Sequence, residues 1–358
     1  MLSNNILERG FLVIMKNKKY WISAIVLVIV ICLTMYALLK DYKISEIVDS
    51  ILGVHPLYIV LCILMVIMYS LFEGIGLKVV LKTFGTKIGY FKGFVYGNID
   101  LFFSLITPSS TGGQPVMAYY MSKDDIPVSQ STMAILLNTL NFKAVLVTLS
   151  TAVLVFMPDL IFGSGTLVIV LFFAGYAMQL LMGALCFMSM FWQSAIRKIS
   201  IFVIRLLGRM RIIKDTEKAT ESFGKSLEDY AQCAEFIKGS RSVVPKVYVV
   251  NLIQRLFLFT IGYLVYLGFG QSSLNYFEVV GIQAAIAMAA NFLPIPGASG
   301  ITEVVFMLLY SSIYPDGEIL ISALLLTRIF DYYFSLLMSG GVSLANHISV
   351  TKKNKKRG

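Results

Sequence analysis

Long runs of apolar residues, separated by short polar stretches, form the main pattern of this chain. A helix that crosses a bilayer needs about 20 consecutive, mostly apolar residues. Six runs reach that length and predict six full spans, at roughly 21–39, 57–80, 132–157, 164–190, 247–269 and 319–345. The first run is too long for the core of a signal peptide and precedes no small-residue cleavage site, so we expect it to remain as a span.

Four shorter apolar runs, at about 94–106, 115–122, 278–292 and 301–314, fall below the spanning length. They form two pairs, and each pair is divided by helix-breaking residues: TPSSTGGQP at 107–115 and LPIPGASG at 293–300. Short helices around central breakers predict two re-entrant hairpins. The alternative is that each pair makes two thin full spans, which would leave the orientation of the later spans unchanged.

Basic residues set the predicted orientation. They cluster in the N-terminal tail up to Lys19, in the middle segment 191–246 and in the C-terminal tail from Lys352. Segments rich in Lys and Arg beside spans face the cytoplasm. We therefore expect both termini on the cytoplasmic side of the cell (cytoplasmic) membrane, the first hairpin opening toward the cytoplasm and the second opening toward the outside.

The predicted elements repeat in the order span, hairpin, span. This order covers 57–157 and returns over 247–345 in the opposite orientation, with 164–190 as the connecting span. The layout predicts an all-α polytopic membrane protein with an inverted repeat, in one membrane domain over 1–358. The linker 191–246 contains IRKISIFVIRLLGRMRIIK at 196–214, which favours either an interfacial helix on anionic lipid or a helix packed under the bundle.

Composition agrees with a membrane protein. Hydrophobic residues make up 57% of the chain and charged residues 14%, whereas an average soluble domain has about 25% charged residues. The net charge of +10 lies in the tails and the linker, beside apolar spans, so it favours contact with anionic lipid and not with nucleic acid. The cysteines and histidines are scattered, so we predict no disulfide framework, no metal site and no cofactor.

The breakers of the two hairpins are the first candidate substrate site. Non-helical backbone at membrane depth requires surrounding protein or a wet cavity, so opposed hairpins predict a shared polar cavity. We expect one helix to start at Pro115 with Gln114 as its cap and another at Gly300 with Glu303 three residues on; such N-termini suit a phosphate or carboxylate. The alternative is that these are tight turns only. The candidate substrate-binding residues here are Ser109, Ser110, Thr111, Gly112, Gly113, Gln114, Gly297, Ser299, Gly300 and Glu303.

Ionisable residues inside apolar runs are costly and mark functional sites. They are Glu73, Asp100, Lys143, Arg255, Glu303, Arg328 and Asp331. Their depths along the spans predict a Glu303–Arg328 contact with Asp331 one turn away, and a pairing of Lys143 with Asp100. We add Lys143, Arg328 and Asp331 to the candidate substrate-binding set; a buried structural ion pair is the alternative. We expect Glu73 at the membrane interface, and Arg255 either lining the cavity or snorkelling.

Three segments resemble motif regions of a known family: LITPSSTGGQPVMAYYM at 105–121, NFLPIPGASGITEVVF at 291–306 and LLTRIFDYYFSLL at 325–337. They are similar to the flippase-like transmembrane region of lysylphosphatidylglycerol synthases (multiple peptide resistance factor family), which also occurs alone. The resemblance covers nearly the whole chain, and its most specific part is Pro294-x-Pro296-Gly297 followed by Gly300-x-x-Glu303. Many relatives carry an arginine in the first hairpin that is absent here, and Gln114 stands where glutamate is frequent.

The resemblance and the predicted cavity together favour a lipid translocator for an anionic or aminoacylated phospholipid or a related lipid-linked substrate. A membrane-bound transferase is the alternative, and its family label would be phosphatidylglycerol lysyltransferase. The sequence ends about a dozen residues after its last predicted span, so we expect no transfer-RNA-dependent chemistry and no catalytic residues. The KDD sequence at 123–125 is the one paired-carboxylate candidate. An accessory protein that binds a partner through its spans is the third alternative.

Overall fold

The computed structural model describes residues 43–107, 112–192, 232–240, 242–291, 295–314 and 316–355, together with residues 36 and 40. Every regular element in that part of the chain is helical, and it contains no strand. Three predicted features lie outside the described residues: nearly all of the span at 21–39, the helix at 196–214 and the tip of the first predicted hairpin.

The described helices follow one another with short connections. A short helical segment at 232–239 precedes α8. In chain order the elements are α1 (Ile44–Leu52), α2 (Pro56–Thr83), α3 (Tyr90–Ile106), α4 (Gly113–Lys123), α5 (Val128–Phe156), α6 (Pro158–Phe162), α7 (Thr166–Phe191), α8 (Val243–Gly268), α9 (Tyr276–Ala290), a 3₁₀ turn (Pro296–Ala298), α10 (Ile301–Tyr310), α11 (Gly317–Arg328), a π-helical turn (Ile329–Phe334) and α12 (Ser335–Lys355).

Five of the six predicted spans are confirmed as helices long and apolar enough to cross a membrane. They are Pro56–Thr83, Val128–Phe156, Thr166–Met190, Val243–Gly268 and the continuous rod Gly317–Lys352. The rod joins α11, the π-helical turn and α12 without a break. The chain is therefore a membrane-embedded helical protein.

The four shorter apolar runs also form helices, and breakers separate them in two pairs as predicted. The second helix of each pair is short: α4 has 11 residues and α10 has 10. At 1.5 Å per residue these helices are about 15–17 Å long, roughly half of a 30 Å hydrocarbon core.

The two halves of the chain pack against each other reciprocally. The helices α2 and α8, which open the two predicted repeats, lie along each other. The helix α3 packs on α12, and α9 packs on α5, so the first arm of each short pair contacts the closing helix of the other half. Close approach of α2 and α3 depends on Gly74, since a Cβ there would overlap the Gly93 backbone; small residues allow such contacts between membrane helices.

The apolar interior is divided into two separate clusters. We call the cluster that contains Val66, Leu146 and Phe259 the first apolar core, and the cluster that contains Leu77, Leu137 and Val247 the second apolar core. On each of α2, α5 and α8, one core ends and the other begins several residues further along the helix. Buried polar side chains lie in between, among them Ser70, Asn138 and Arg255, and this level of the three helices contains the site described next.

Candidate functional site

A layer of polar side chains crosses the molecule between the two apolar cores. It contains Tyr69 and Glu73 on α2, Asn138 and Lys143 on α5, and Arg255 on α8. The midpoints of these three helices fall at residues 69–70, 142 and 255–256. The polar layer therefore lies near the centre of three spanning helices, where each charged residue costs about 2.5–3.5 kcal/mol on insertion scales.

This layer surrounds a cavity of about 250 Å³. The two halves of the chain both contribute to its wall, through α2, α3, α4, α5 and α7 on one side and α8 and the residue after α9 on the other. The lining residues are Tyr69, Glu73, Gly97, Asp100, Leu101, Ser104, Leu105, Gln114, Asn138, Thr139, Phe142, Lys143, Gln179, Arg255 and Asn291. A polar cavity is therefore present, and both short pairs reach its wall, the second through Asn291.

Glu73 is held in the cavity wall by two side-chain amides. Its Oε1 accepts a hydrogen bond from Nδ2 of Asn138 over 2.6 Å, and its Oε2 accepts one from Nε2 of Gln254 over 2.8 Å. Asn138 is fixed in turn, because its Oδ1 accepts from Nδ2 of Asn251 over 2.9 Å. The expected interfacial position of Glu73 is wrong, since the carboxylate faces the interior and joins α2, α5 and α8.

Two basic side chains face the same cavity. Arg255 is 6% exposed, and its guanidinium carbon lies 3.6 Å from the centroid of the Phe142 ring. Lys143 donates from Nζ to Oε1 of Gln179 over 3.3 Å. Of the two alternatives for Arg255, lining the cavity is correct and snorkelling is not.

The predicted pairing of Lys143 with Asp100 is wrong. Both residues line the cavity, but no ion pair within 4.0 Å joins them, and Lys143 contacts Gln179 on α7 instead. The Oδ1 atom of Asp100 is buried and accepts no hydrogen bond within the described part of the chain. The prediction failed because it left out Gln179, which lies on the connecting span α7. The sequence of α7 is almost uniformly apolar, so it did not show which face of the helix turns toward Lys143.

The first hairpin contributes Gln114 to the cavity, although not in the predicted way. The helix α4 begins at Gly113, so Pro115 is its third residue and not its first. The Gln114 side chain does not cap the helix; its Nε2 donates to Oγ1 of Thr139 over 2.9 Å. The N–H of Gly112 donates to Oγ1 of Thr107 over 2.9 Å, which fixes the earlier start. The candidates Ser109, Ser110 and Thr111 lie outside the described residues.

The second hairpin contains the predicted ion pair. Nε of Arg328 lies 2.8 Å from Oε1 of Glu303, and the two side chains are 6% and 2% exposed. The other carboxylate oxygen of Glu303 accepts from the Gly300 N–H over 2.6 Å. The predicted helix start is confirmed, with Gly300 directly before Ile301.

Further contacts close this cluster. Arg328 also donates to the carbonyl oxygen of Gly297 over 3.1 Å and to Oγ of Ser299 over 3.4 Å. Its Nη1 lies 3.6 Å from Oδ1 of Asp331. The predicted binding residues of this cluster do not line the cavity. They are Gly297, Ser299, Gly300, Glu303, Arg328 and Asp331. Their contacts tie α10, α11 and the 3₁₀ turn together, and a substrate-binding role for them stays a prediction.

Tyr332 connects the two short pairs of helices. Its ring lies against Gly297, where a Cβ would overlap it, and its hydroxyl donates to the carbonyl oxygen of Leu105 at the end of α3 over 3.5 Å. The Gly297 backbone has φ +61°, a left-handed conformation that glycine adopts without strain. Tyr332 thereby joins the 3₁₀ turn between α9 and α10 to the end of α3.

The paired carboxylates at 124–125 form part of a loop. Asp124 accepts from the Tyr96 hydroxyl over 2.8 Å and pairs with Nζ of Lys92 at 2.6 Å. Asp125 is exposed and has φ +62°. Asp124 therefore links the turn between α4 and α5 to the start of α3.

Sequence reasoning missed several lining residues, among them Asn138, Gln179 and Asn291, and it missed the contact of Gln254 with Glu73. A usable signal was present, because Asn138, Asn251 and Gln254 lie at or near the midpoints of otherwise apolar spans. An amide at that depth must find a hydrogen-bond partner inside the protein.

The fold and the site define a class: a polytopic helical membrane protein with a polar cavity at the centre of its spans. A sequence model described as "Lysylphosphatidylglycerol synthase TM region" matches residues 21–339, so the chain belongs to that family. It is similar to a UPF0104 membrane protein of Archaeoglobus fulgidus, with 24% identity over 298 residues that cover 81% of this chain and 87% of the relative. It is also similar to the inner membrane protein YbhN of Escherichia coli, with 31% identity over 106 residues, 29% of this chain and 33% of the relative.

Proposed function

We propose that this protein is a flippase-like lipid translocator that passes the headgroup of a phospholipid through its central cavity. The observation that carries the proposal is the polar layer at the midpoints of α2, α5 and α8, between two apolar cores. A headgroup that crosses a bilayer needs polar partners at that depth, because the hydrocarbon offers none. The acyl chains would stay in the surrounding lipid.

The size and charge of the cavity support a small polar ligand. Its volume of about 250 Å³ lies just below the usual range for drug-sized ligands, about 300–1,000 Å³. Its wall contains two basic and two acidic side chains beside several amides. This lining suits an anionic or aminoacylated phospholipid or a related lipid-linked headgroup, and it would exclude the apolar chains.

The arrangement of the helices supports alternating access by an inverted repeat. We propose that 57–157 and 247–345 are the two repeats and that each short pair is a re-entrant hairpin. The short length of α4 and α10 and the reciprocal packing of α3 on α12 and α9 on α5 favour this arrangement. Rocking of one repeat against the other would then open the cavity to each side in turn.

The basic segments complete the proposal. The tails and the linker 191–246 carry most of the excess positive charge, and we propose that they lie on the anionic cytoplasmic surface of the cell membrane. Both termini would then be cytoplasmic, as would the open ends of the first hairpin.

A liposome assay tests translocation directly. The full chain is reconstituted into vesicles that contain a fluorescent phospholipid, and leaflet-selective quenching gives the flip rate. We expect the wild type to accelerate flipping and Lys143→Gln to slow it by about tenfold, the loss of one charge-assisted contact. Lys43→Gln is the matched control, because Lys43 is exposed and pairs with Glu46 outside the cavity. Absence of acceleration by the wild type, or equal rates for Lys143→Gln and Lys43→Gln, would overturn the proposal.

A further inference from the structure

Arg255 is a buried cation that forms no ion pair within the described part of the chain. It makes no hydrogen bond or ion pair with any residue in the part of the chain that the structure describes, and its Nε is buried without a partner. It lies at the middle of α8 and lines the cavity. A buried charge without an opposite charge in direct contact costs several kcal/mol of folding free energy, and an anion bound at the guanidinium would offset part of that cost.

No carboxylate of the cavity makes a direct contact with Arg255, although Glu73 attracts it electrostatically from a longer distance. Both carboxylate oxygens of Glu73 already accept hydrogen bonds from Asn138 and Gln254. Neither Glu73 nor Asp100 lies within 4.0 Å of the guanidinium, although both line the same cavity. Arg328 shows the contrast, because its guanidinium contacts a carboxylate at 2.8 Å.

Phe142 holds the guanidinium in a defined position. The distance of 3.6 Å from its centroid to the guanidinium carbon is that of a stacked cation–π contact, and Phe259 lies further away at 5.7 Å. Stacking uses the face of the guanidinium and leaves the N–H groups at its edge free. A fork of parallel N–H donors matches the oxygens of a phosphate group.

Lys143 supplies a second positive charge next to this site. It follows Phe142 in the sequence, lines the same cavity and contacts the neutral amide of Gln179. We infer that the Arg255 guanidinium, stacked on Phe142, binds the phosphate oxygens of a phosphate ester in the cavity, with Lys143 as a second contact. The identification of that phosphate as part of a lipid headgroup rests on the proposed function. The binding chemistry of Arg255 does not depend on it.

Ligand-induced thermal stabilisation of the purified full chain in uncharged detergent tests this site. The probes are a short-chain phosphatidylglycerol, inorganic phosphate and a short-chain diacylglycerol that lacks phosphate. A ligand that binds the folded state raises the unfolding temperature in proportion to its occupancy. We expect the phosphatidylglycerol to stabilise the wild type and the diacylglycerol to have no effect.

Two substitutions separate binding from folding. Arg255→Met keeps the length of the side chain and removes an unpaired buried charge, so we expect this variant without ligand to be at least as stable as the wild type. Its affinity for the phosphatidylglycerol should fall by at least about tenfold, the loss of a charge-assisted contact. Arg255→Lys keeps the charge but not the fork, and should lose part of the affinity. Lys43→Met is the control outside the cavity and should bind as the wild type does.

The outcomes distinguish this inference from translocation. Equal stabilisation of wild type and Arg255→Met by the phosphatidylglycerol, or no stabilisation of the wild type by either phosphate probe, would overturn the assignment of Arg255, while the flip assay would decide translocation independently. If inorganic phosphate stabilises the wild type as strongly as the lipid, and this effect also depends on Arg255, the oxyanion site stands and the lipid is not its specific ligand. Stronger stabilisation by the lipid supports the headgroup as the source.

Discussion

Gln114 and Thr139 form a hydrogen bond of 2.9 Å at the place in the first half of the chain where Glu303 and Arg328 meet in the second. Gln114 is the second residue of α4 and Thr139 the twelfth of α5; Glu303 is the third residue of α10 and Arg328 the twelfth of α11. The Gln114–Thr139 contact is neutral and faces the cavity, whereas the Glu303–Arg328 contact is charged and buried. The same junction between a short helix and the next long helix is therefore held weakly in one half and strongly in the other.

The difference in strength can be measured. We expect Glu303→Ala to destabilise the protein by about 3 kcal/mol, the lower end for breaking a buried ion pair, because Asp331 remains 3.6 Å from Arg328. Gln114→Ala should cost about 1 kcal/mol, the usual value for a neutral hydrogen bond. Unfolding of the purified variants in mixed detergent micelles gives both values.

A double substitution provides the control for this comparison. Glu303→Leu with Arg328→Met removes both charges together, so it should be more stable than Glu303→Leu alone. Equal losses for Glu303→Ala and Gln114→Ala would contradict the difference between the two junctions.

The 3₁₀ turn between α9 and α10 depends on glycine at 297. Gly297→Ala should lower the unfolding temperature, because a left-handed conformation costs a non-glycine residue about 1–2 kcal/mol and the new Cβ would overlap the Tyr332 ring. Gly341→Ala is the matched control, since a Cβ at Gly341 in α12 meets no atom within 4 Å. Similar unfolding temperatures for the two variants would show that the turn is not constrained in this way.

Glu73 offers a way to remove charge without removing structure. In Glu73→Gln the amide oxygen can still accept from Asn138, and the new NH₂ group can donate to Gln254 once the Gln254 amide flips. That flip would also satisfy the Gln254 Oε1 atom, which is buried without a partner. We expect the free energy of unfolding of Glu73→Gln to lie within about 0.5 kcal/mol of the wild-type value, because the substitution leaves no buried group without a partner.

Glu73→Leu is the contrasting variant. It leaves the donors of Asn138 and Gln254 unpaired in the interior, which costs about 1–3 kcal/mol per buried group. Urea unfolding in detergent distinguishes the two variants. If Glu73→Gln is as destabilised as Glu73→Leu, the charge itself and not the hydrogen-bond network holds the three helices together.

The proposed re-entrant topology of the two short pairs predicts which residues can be labelled from each side of the membrane. In a chain whose native cysteines are replaced, we expect single cysteines at Lys87 and Asp125 to react with a membrane-impermeant reagent from the cytoplasmic side. Cysteines at Asp159 and Ser311 should react from the outside. A cysteine at Ile295, near the tip of the second hairpin, should react from neither side.

The residue at the tip separates the two possible courses. Two thin full spans in place of the second hairpin would bring Ile295 to the cytoplasmic surface, where it would be labelled. Labelling of Lys87 and Asp125 from opposite sides would contradict both the hairpin and the thin-span arrangement of the first pair.

Local sequence signals were reliable where one short segment contains the whole cause. Gly300 and Glu303 predicted a helix start because the Glu303 carboxylate reaches the N–H three residues earlier, and this contact is present. The start of α4 was misplaced by two residues. Proline fits anywhere in the first turn, where N–H groups have no helical acceptor, and the contact that sets the boundary comes from Thr107.

The sequence by itself determined the class of this protein: helices of spanning length, breakers between short pairs, and ionisable residues within apolar runs. These features follow from hydropathy along the chain, because the length and polarity of each segment decide by themselves whether it can cross the bilayer. Only the tertiary structure decided which polar residues share a cavity. Glu73, Lys143 and Arg255 come from three helices, and whether each side chain meets lipid, a partner or the cavity depends on how those helices rotate and pack. That rotation places Arg328 beside Glu303 and leaves Arg255 facing the cavity without an ion pair among the described residues.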